Sequence, residues 1–241
     1  MAGLIAVAAL AGAATPAYAG AEILRQGLFG AKPMPGRGVT PPIARYVSQD
    51  GDGFVLDRSQ PRPMLKFDSS PEIWALRPHP APRGDIIYKN DLGEPVLRAT
   101  RLGGLTIFTD ARPGGSPAAL AGGSQPLRLP QLTPQALFQR LTQASARATR
   151  AARRLIYFEA DATPESSALM ADAAMVTAEA VVRMSRDPNG RSMLARFSQV
   201  RLVSGSKAEA SVKKGVMRIV VSPADGVAGR PSSDRIMAAA R

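Results

Sequence analysis

Short β-prone runs, in which apolar and polar positions alternate, follow one another between residues 43 and 110. Alternation with a period of two is typical of strands that bury one face, and the Asp-Gly, Leu-Gly and Gly-Gly steps between the runs favour tight turns. The pattern therefore predicts a compact antiparallel sheet, either a small barrel or a sandwich. The runs are ARYVS, FVLD, MLKF, EIWALR, DIIYK, PVLRATR and LTIFT.

The pattern changes to a helical period after Thr133-Pro134, where a capping residue precedes a proline at the first helical position. A second helix begins with the same device at Thr163-Pro164 and runs to about Arg186. Because only a short connection separates the two, residues 133–186 are predicted to form an antiparallel helical hairpin. The apolar stripe of the first helix consists of Leu137, Leu141, Ala144, Ala148, Ala151 and Leu155.

Charges on the two predicted helices suggest how the helices align. Facing residues in an antiparallel pair have a constant sum of residue numbers, and three arginines and three acids at heptad spacing satisfy this condition. The sequence therefore predicts an interhelical salt-bridge ladder, in which each exposed pair contributes about 0.2–1 kcal/mol and mainly sets the register. The pairs are Arg140 with Glu179, Arg147 with Asp172, and Arg154 with Glu165.

The remaining regions complete an α+β fold class. Residues 111–132 are rich in Pro, Gly and Ala, which predicts a linker or an ordered loop. Residues 187–241 are predicted to form a small β element, with a hairpin turn at Lys213-Lys214-Gly215, and a short terminal helix capped by Ser232 or Ser233. We expect an N-terminal antiparallel β-rich region, the helical hairpin, a C-terminal β-hairpin and the terminal helix, with residues 43–241 as one domain.

The beginning of the chain predicts export. An uncharged, apolar run precedes Pro16, and Ala17-Tyr18-Ala19 offers the small residues that a signal peptidase recognises. The run is shorter and less apolar than the roughly 20 strongly apolar residues of a membrane span. We therefore expect residues 1–19 to be a signal peptide cleaved after Ala19, and residues 20–42 to be an irregular leader. The mature protein is then periplasmic or secreted and has no transmembrane anchor.

Composition narrows the possible chemistry. The 241 residues include no cysteine and one histidine, which excludes a disulfide framework, thiolate catalysis and Cys-rich or multi-His zinc sites. The formal charge of +12 favours attraction to polyanions without identifying a ligand. Nucleic acid is not an expected partner, because no nucleic-acid module is visible and aromatic residues make up 5% of the chain. No dinucleotide or P-loop spacing occurs, so neither a cofactor nor a metal is predicted.

The densest polar segment, residues 77–95, supplies the candidate site. Its charged and amide side chains favour binding of an anionic envelope polymer or an envelope protein. Asp85 and Asp91 offer an alternative, a carboxylate pair for hydrolysis, which requires carboxyl groups about 5–9.5 Å apart. Residues 229–235 offer another anion site at a helix N-terminus, although helix capping explains the same residues. The six candidate binding residues are Arg77, Arg83, Asp85, Lys89, Asn90 and Asp91.

Three segments of the sequence carry a resemblance to a known family. PRGDIIYKNDLGEPVLRATRLGGLTIF, the arginine-rich helix and the closing GVAGRPSSDRI together resemble an uncharacterised family of exported bacterial proteins, domain of unknown function 4908. The resemblance covers most of the mature chain and implies an envelope or secreted location without implying an activity or functional residues. We therefore expect a non-enzymatic binding or structural module of the bacterial cell envelope, with a carboxylate-dependent envelope hydrolase as the alternative.

Overall fold

The computed structural model describes residues 42–241. The predicted signal peptide (residues 1–19) and the predicted leader up to residue 41 lie outside the described residues. The α+β fold class is confirmed, because an antiparallel sheet precedes a layer of helices, a second sheet and a terminal helix. None of the helices in residues 42–241 is long and apolar enough to cross a membrane.

Within residues 42–241, nine strands form the first sheet, and every neighbouring pair in it is antiparallel. Their order across the sheet is β4-β3-β2-β1-β9-β8-β7-β6-β5. Strands β1 to β4 therefore form one meander and β5 to β9 form another, and the pairing of β1 with β9 joins the two. The strands are β1 (Ile43–Ser48), β2 (Gly53–Asp57), β3 (Met64–Phe67), β4 (Ile73–Ala75), β5 (Arg77–Pro80), β6 (Ile86–Lys89), β7 (Pro95–Ala99), β8 (Leu105–Thr109) and β9 (Arg112–Gly123).

The two edge strands are halves of one bent strand, because Leu76 alone lies between β4 and β5. The first half pairs with β3 and the second half pairs with β6. Since the two edges of the sheet are joined in this way, the sheet curls into an up-and-down barrel. The structure thus forms the barrel rather than the sandwich, with a seam along residues 73–80 where each half of the bent strand is paired on one side only.

The sequence of β5 explains why the seam stays open. Alternate residues of a strand direct their N–H groups to opposite sides, and Pro78 and Pro80 occupy alternate positions. The N–H groups of β5 that remain are used in pairing with β6, so the outer edge of β5 has no donors to offer another strand. Leu76, which is fully buried, anchors the bend in the barrel core.

Residues 111–132 contradict the prediction of a linker in their first half. Residues 112–123 form β9, which pairs with both β8 and β1 and so closes the barrel. The strand was not predicted because its small residues lack the alternating bulky side chains that mark a strand. Their smallness has a packing reason at Gly115, where a Cβ atom would lie 2.6 Å from Thr106 and 2.8 Å from the ring of Phe108.

The second half of the protein combines helices with a four-stranded sheet. Two of the predicted caps are confirmed, since Thr133 accepts a hydrogen bond from the Ala136 N–H at 3.2 Å and Ser232 accepts one from the Arg235 N–H at 3.2 Å. The predicted start at Thr163-Pro164 is wrong, because the second long helix begins at Ser167 after Ser166. The second sheet has the order β10-β11-β13-β12. Its elements, with the helices, are α1 (Pro134–Ala152), β10 (Tyr157–Ala160), α2 (Ser167–Arg186), α3 (Gly190–Ala195), β11 (Phe197–Ser204), β12 (Glu209–Lys213), β13 (Gly215–Val221) and α4 (Ser233–Ala240).

The connection between α1 and α2 is a strand and not only a loop. Strand β10 pairs in parallel with β11, which in turn pairs in parallel with β13. Helices α1 and α2 pack against each other, and α2 also packs on β11 and β13. The predicted helical pair is therefore confirmed as a packing unit, but α2 belongs to the crossover between the parallel strands β10 and β11, and α1 precedes it. The four residues of β10 are too few for a pattern that separates a strand from a loop.

The predicted salt-bridge ladder is wrong in its register. Arg147 forms an ion pair with Glu179 and not with Asp172. The carboxylate of Asp172 instead accepts a hydrogen bond from Arg230. At this pair the helices are displaced by one heptad from the predicted alignment. The connection is longer than predicted and contains β10, so it does not hold the helices in the register that a short loop would impose.

The other two rungs of the ladder are also absent. The guanidinium of Arg154 donates to the backbone carbonyls of Leu194 and Phe197, so it holds the start of β11 rather than Glu165. Within residues 42–241, Arg140 and Glu165 form no ion pair. The charge pattern indicated that the helices pair through arginines and acids, and the contacts between elements decided which residues meet.

A double-mutant cycle distinguishes the two registers. We expect Arg147→Ala and Glu179→Ala to show a coupling free energy of about 0.2–1 kcal/mol, the range for a partly exposed ion pair. The cycle of Arg147→Ala with Asp172→Ala serves as the control and should show no coupling. The measurement is the free energy of unfolding in urea, and a larger coupling in the control cycle would restore the predicted register.

Candidate functional site

The C-terminal segment, residues 223–235, runs along the seam of the barrel. It begins as a short 3-10 helix, Pro223–Gly229, and continues into the cap of α4. Val227 packs with Met64 and Ile73 on the outer face of the barrel. Arg230 Nη2 donates to the carbonyl oxygen of Ile73 at 2.8 Å. This side chain thus takes the place of a neighbouring strand at the open edge of β4. The segment therefore joins the barrel to the helical layer.

A buried charge cluster of Glu72, Asp172 and Arg230 lies beneath this segment. Arg230 Nε donates to Asp172, and Arg230 Nη1 lies 3.5 Å from Glu72 Oε1. The side chains of Arg230 and Glu72 are each 2% exposed. One residue comes from the barrel, one from α2 and one from the C-terminal segment. The cluster therefore connects three parts of the fold through charges that water does not screen.

Electrostatics within the buried charge cluster follow from burial and pairing. Burial alone would lower the pKa of Arg230, but the negative charges of Asp172 and Glu72 outweigh it and raise that pKa. Burial raises the pKa of Glu72, and Arg230 opposes the shift. Ser233 also stabilises the Glu72 carboxylate, donating from its backbone N–H at 3.0 Å and from its hydroxyl at 2.6 Å.

Two of the sequence-predicted binding residues hold the terminal helix in place. Asp91 accepts hydrogen bonds from the Ser232 N–H at 3.0 Å and from Arg235 Nε at 3.1 Å. Asn90 donates to Glu94 at 2.9 Å and to Asp234 at 3.3 Å. The anions bound by residues 229–235 are therefore carboxylates of the protein itself. The alternative of an anion site for an external ligand at this helix N-terminus is replaced by these internal contacts.

Asp85 lies at the other end of β6 from Asp91, so the predicted carboxylate pair is wrong. The two residues flank a strand that spans residues 86–89. Six positions of extended chain correspond to about 20 Å, well beyond the reach of a hydrolytic pair. Asp85 instead pairs with Arg98 and accepts from the Arg101 N–H at 3.2 Å. The hydrogen bond from Arg98 holds the pKa of Asp85 below its usual range.

The other predicted binding residues are also divided between places. Arg83 sits in the turn after β5 with φ of 65°, and its charge adds to the lowering of the pKa of Asp85. Arg77 and Lys89 are cross-strand partners in the pairing of β5 with β6. The six candidates therefore do not form one site. Adjacent residues of a β-strand point to opposite faces of the sheet, and residues at the two ends of a strand lie at opposite ends of the barrel.

A cleft along the seam collects cations from separate segments. It has a volume of about 210 Å³, and Arg77, Asn90 and Asp91 are the sequence-predicted residues that line it. We call it the cationic cleft, because five cations line it against two acids. Arg230 and Arg235 are paired with protein carboxylates. The other three, Arg62, Arg77 and Lys207, form no ion pair within residues 42–241.

Most residues of the cationic cleft were not found from the sequence. Arg62 comes from the loop between β2 and β3, Lys207 from the loop between β11 and β12, and Asp225 from the 3-10 helix. Trp74, the single tryptophan of the chain, lies on β4 and forms an aromatic part of the wall. Each is an isolated residue in its own segment, so no local motif signals that they meet.

A second, acidic cleft of about 760 Å³ lies between the barrel and α2. Aromatic residues Phe67, Trp74 and Phe108 line part of it. Arg183 of α2 lies 2.6 Å from Asp234 and 3.6 Å from Asp110. The two clefts share Trp74 and Asn90. The charge of the surface therefore changes from positive to negative across these two residues. Among residues 42–241 no three His, Asp or Glu side chains are grouped to hold a metal ion.

Comparisons with known proteins identify the chain at the level of a family. Neither the curated proteins nor the solved structures contain a significant match. The model of the family described as a domain of unknown function (DUF4908) matches residues 25–240, which include the whole barrel, the C-terminal segment and the cationic cleft. The chain therefore belongs to this family, the domain of unknown function DUF4908.

Proposed function

We propose that the protein is an exported, non-enzymatic binding module of the bacterial cell envelope, and that it holds an anionic envelope polymer through the cationic cleft. The observation that carries this proposal is the convergence around one concave surface of three cations that form no ion pair within residues 42–241, Arg62, Arg77 and Lys207. The N-terminal sequence supports export, since its apolar run and Ala17-Tyr18-Ala19 are typical of a signal peptide.

Charge and geometry favour an anion at this place. Like charges that face one cleft repel each other, and an anion between them relieves the repulsion. Arginine presents a planar fork that fits a carboxylate or a phosphate with two parallel hydrogen bonds. Arg62, Arg77 and Lys207 are exposed, so their side chains are free to turn toward a ligand. The overall charge of +12 adds a long-range attraction for a polyanion.

Titration with two anionic polymers tests the proposal. The mature chain is titrated with polyphosphate and with polygalacturonate, and the fluorescence of Trp74, the single tryptophan, reports binding at the cleft. We expect saturable binding that weakens as salt rises, because exposed charges are screened. We expect the triple variant Arg62→Ala, Arg77→Ala, Lys207→Ala to bind at least about tenfold more weakly, since it loses every unpaired cation of the cleft.

A matched triple variant controls for net charge. Arg140→Ala, Arg150→Ala and Arg191→Ala remove the same charge from exposed helical positions outside the cleft. This variant should bind both polymers within about twofold of the unaltered protein, because only diffuse attraction is lost. Equal losses in the two triple variants would show charge attraction without a site and would overturn the proposal. The proposal would also be overturned if the protein bound neither polymer at low salt.

A further inference from the structure

We infer that the unit recognised in the cationic cleft is a single sugar residue that carries one carboxylate or phosphate group. This inference rests on the proposed function, because it names the part of the polymer that enters the cleft. It goes beyond charge attraction, since it assigns roles to an aromatic ring and to a carboxylate that a simple anion would not use. The residues concerned are Trp74 and Asp225 together with Arg62, Arg77 and Lys207.

The size of the cleft leaves room for more than a bare anion. Its volume of about 210 Å³ is many times the roughly 10–15 Å³ that holds one water molecule. A phosphate or an acetate alone would leave most of this space to water, whereas a sugar ring with its substituents has further atoms to place against the walls. We therefore assign the cleft to one charged sugar residue of the polymer.

Trp74 provides an apolar wall for such a ring. Part of its side chain packs against the barrel core, and the remaining surface is open to the cleft. The face of an indole is flat and apolar, and the C–H groups on one side of a pyranose ring form a matching apolar surface. An inorganic anion has no apolar surface, so contact with Trp74 would add nothing to its binding. An aromatic wall beside unpaired cations fits a ligand that is both apolar on one face and charged at one end.

Asp225 supplies the acceptor that sugar hydroxyls require. Its side chain is exposed, lines the cleft and forms no ion pair within residues 42–241. An ionised carboxylate only accepts hydrogen bonds, so it repels a bare anion and receives the hydroxyls of a sugar. The combination of Asp225 with Arg62 and Arg77 in one cleft therefore selects a ligand that carries both hydroxyl donors and a negative charge.

Small probes separate the sugar from the charge. The mature chain is titrated by calorimetry at constant ionic strength with glucuronate and glucose 6-phosphate, which combine a pyranose with an anion. Glucose, acetate and inorganic phosphate supply either part alone. We expect the two acidic sugars to bind at least about tenfold more tightly than glucose, acetate or phosphate, because only they use the aromatic wall, the acceptor and the cations together.

A conservative variant tests the role of the acceptor. Asp225→Asn keeps the size of an exposed side chain, so the fold is retained. We expect it to weaken binding of both acidic sugars at least about fivefold and to leave phosphate binding equal or tighter, since a repulsive charge is removed. Asp161→Asn, an exposed acid outside the cleft, is the matched control and should change neither.

The outcomes separate this inference from the proposed function. Acetate or phosphate binding as tight as that of the acidic sugars would overturn the sugar assignment, while saturable polymer binding that depends on Arg62, Arg77 and Lys207 would keep the proposed function. Weakening of phosphate by Asp225→Asn to the same extent as the acidic sugars would also overturn the sugar assignment. Loss of all anion binding, polymers included, would overturn both.

Discussion

Replacing Arg230 with alanine is expected to lower the free energy of unfolding by about 3–5 kcal/mol. The substitution leaves the carboxylates of Glu72 and Asp172 in a buried place without their counter-charge. It also removes the donor to the carbonyl oxygen of Ile73. Removing one partner from a buried, hydrogen-bonded ion cluster costs more than the cluster contributes, because the remaining charges stay desolvated.

Urea denaturation of three variants, each compared with the unaltered protein, measures this effect. The control is Arg45→Ala, which breaks the exposed pair with Asp68, whose side chains are 45% and 46% exposed. That loss should be about 0–1 kcal/mol because water screens the pair. Adding Glu72→Gln to Arg230→Ala should recover part of the stability, since it removes one orphaned charge. A loss below about 1 kcal/mol for Arg230→Ala would contradict the buried charge cluster.

Gly229→Ala is expected to lower the free energy of unfolding by about 1–3 kcal/mol, the usual effect of forcing an extra methyl group into a packed place. A Cβ at this position would meet the backbone carbonyl oxygen of Ser222 well inside 3.0 Å, a separation that real Cβ atoms do not show. The carbonyl cannot move away easily, because the Ser222 N–H donates to the Gly229 carbonyl at 2.6 Å. The chain must shift just before Arg230.

Gly123→Ala is the matched control for this substitution. A Cβ at Gly123 meets no atom within 4 Å, so the added methyl group has space. We expect a change of less than about 1 kcal/mol, with the reduced freedom of the unfolded chain favouring stability. The same urea midpoints serve as the measurement. An unchanged midpoint for Gly229→Ala would show that the C-terminal segment does not hold the close contact that the structure places there.

The two substitutions act on one feature, the attachment of the C-terminal segment to the seam. Gly229 fixes the path of the backbone, and Arg230 uses that path to reach the carboxylates of Glu72 and Asp172. A shift caused by Gly229→Ala therefore weakens the ion cluster as well. The double variant with Gly229→Ala and Arg230→Ala should therefore lose less free energy of unfolding than the sum of the two single losses, as expected for residues that share a network.

Much of the local structure followed from the sequence alone. The alternating runs predicted strands β1 to β4 and β6 to β8, but not β5, and the caps at Thr133 and Ser232 predicted where two helices begin. Strands β9 and β10 were missed because one is built from small residues and the other has four residues. Strand pairing on two sides holds these segments in place, and pairing partners far away in sequence leave no local pattern.

The candidate site was predicted in part. Residues 77–95 do contribute Arg77, Asn90 and Asp91 to the cationic cleft. The sequence could not show that Asn90 and Asp91 are already engaged by the segment around Ser232, more than a hundred residues away. Two of the three segments that carry the family resemblance, the one around Asn90 and the closing one around Ser232, thus meet at the seam, where they form the junction between the barrel and the helical layer.

The sequence by itself determined most of the strands and both long helices, the caps at Thr133 and Ser232, the fold class and the absence of thiol chemistry, because these properties depend on residue types and on neighbours within a few positions. Tertiary structure alone decided which charges meet. Arg147 faces Glu179, Arg230 enters a buried cluster, and Asp85 is separated from Asp91 by the length of β6. Such pairings depend on strand closure and helix register, which are set by packing over the whole molecule. For the same reason, the three unpaired cations of the cationic cleft became a site only when separate loops met at the seam.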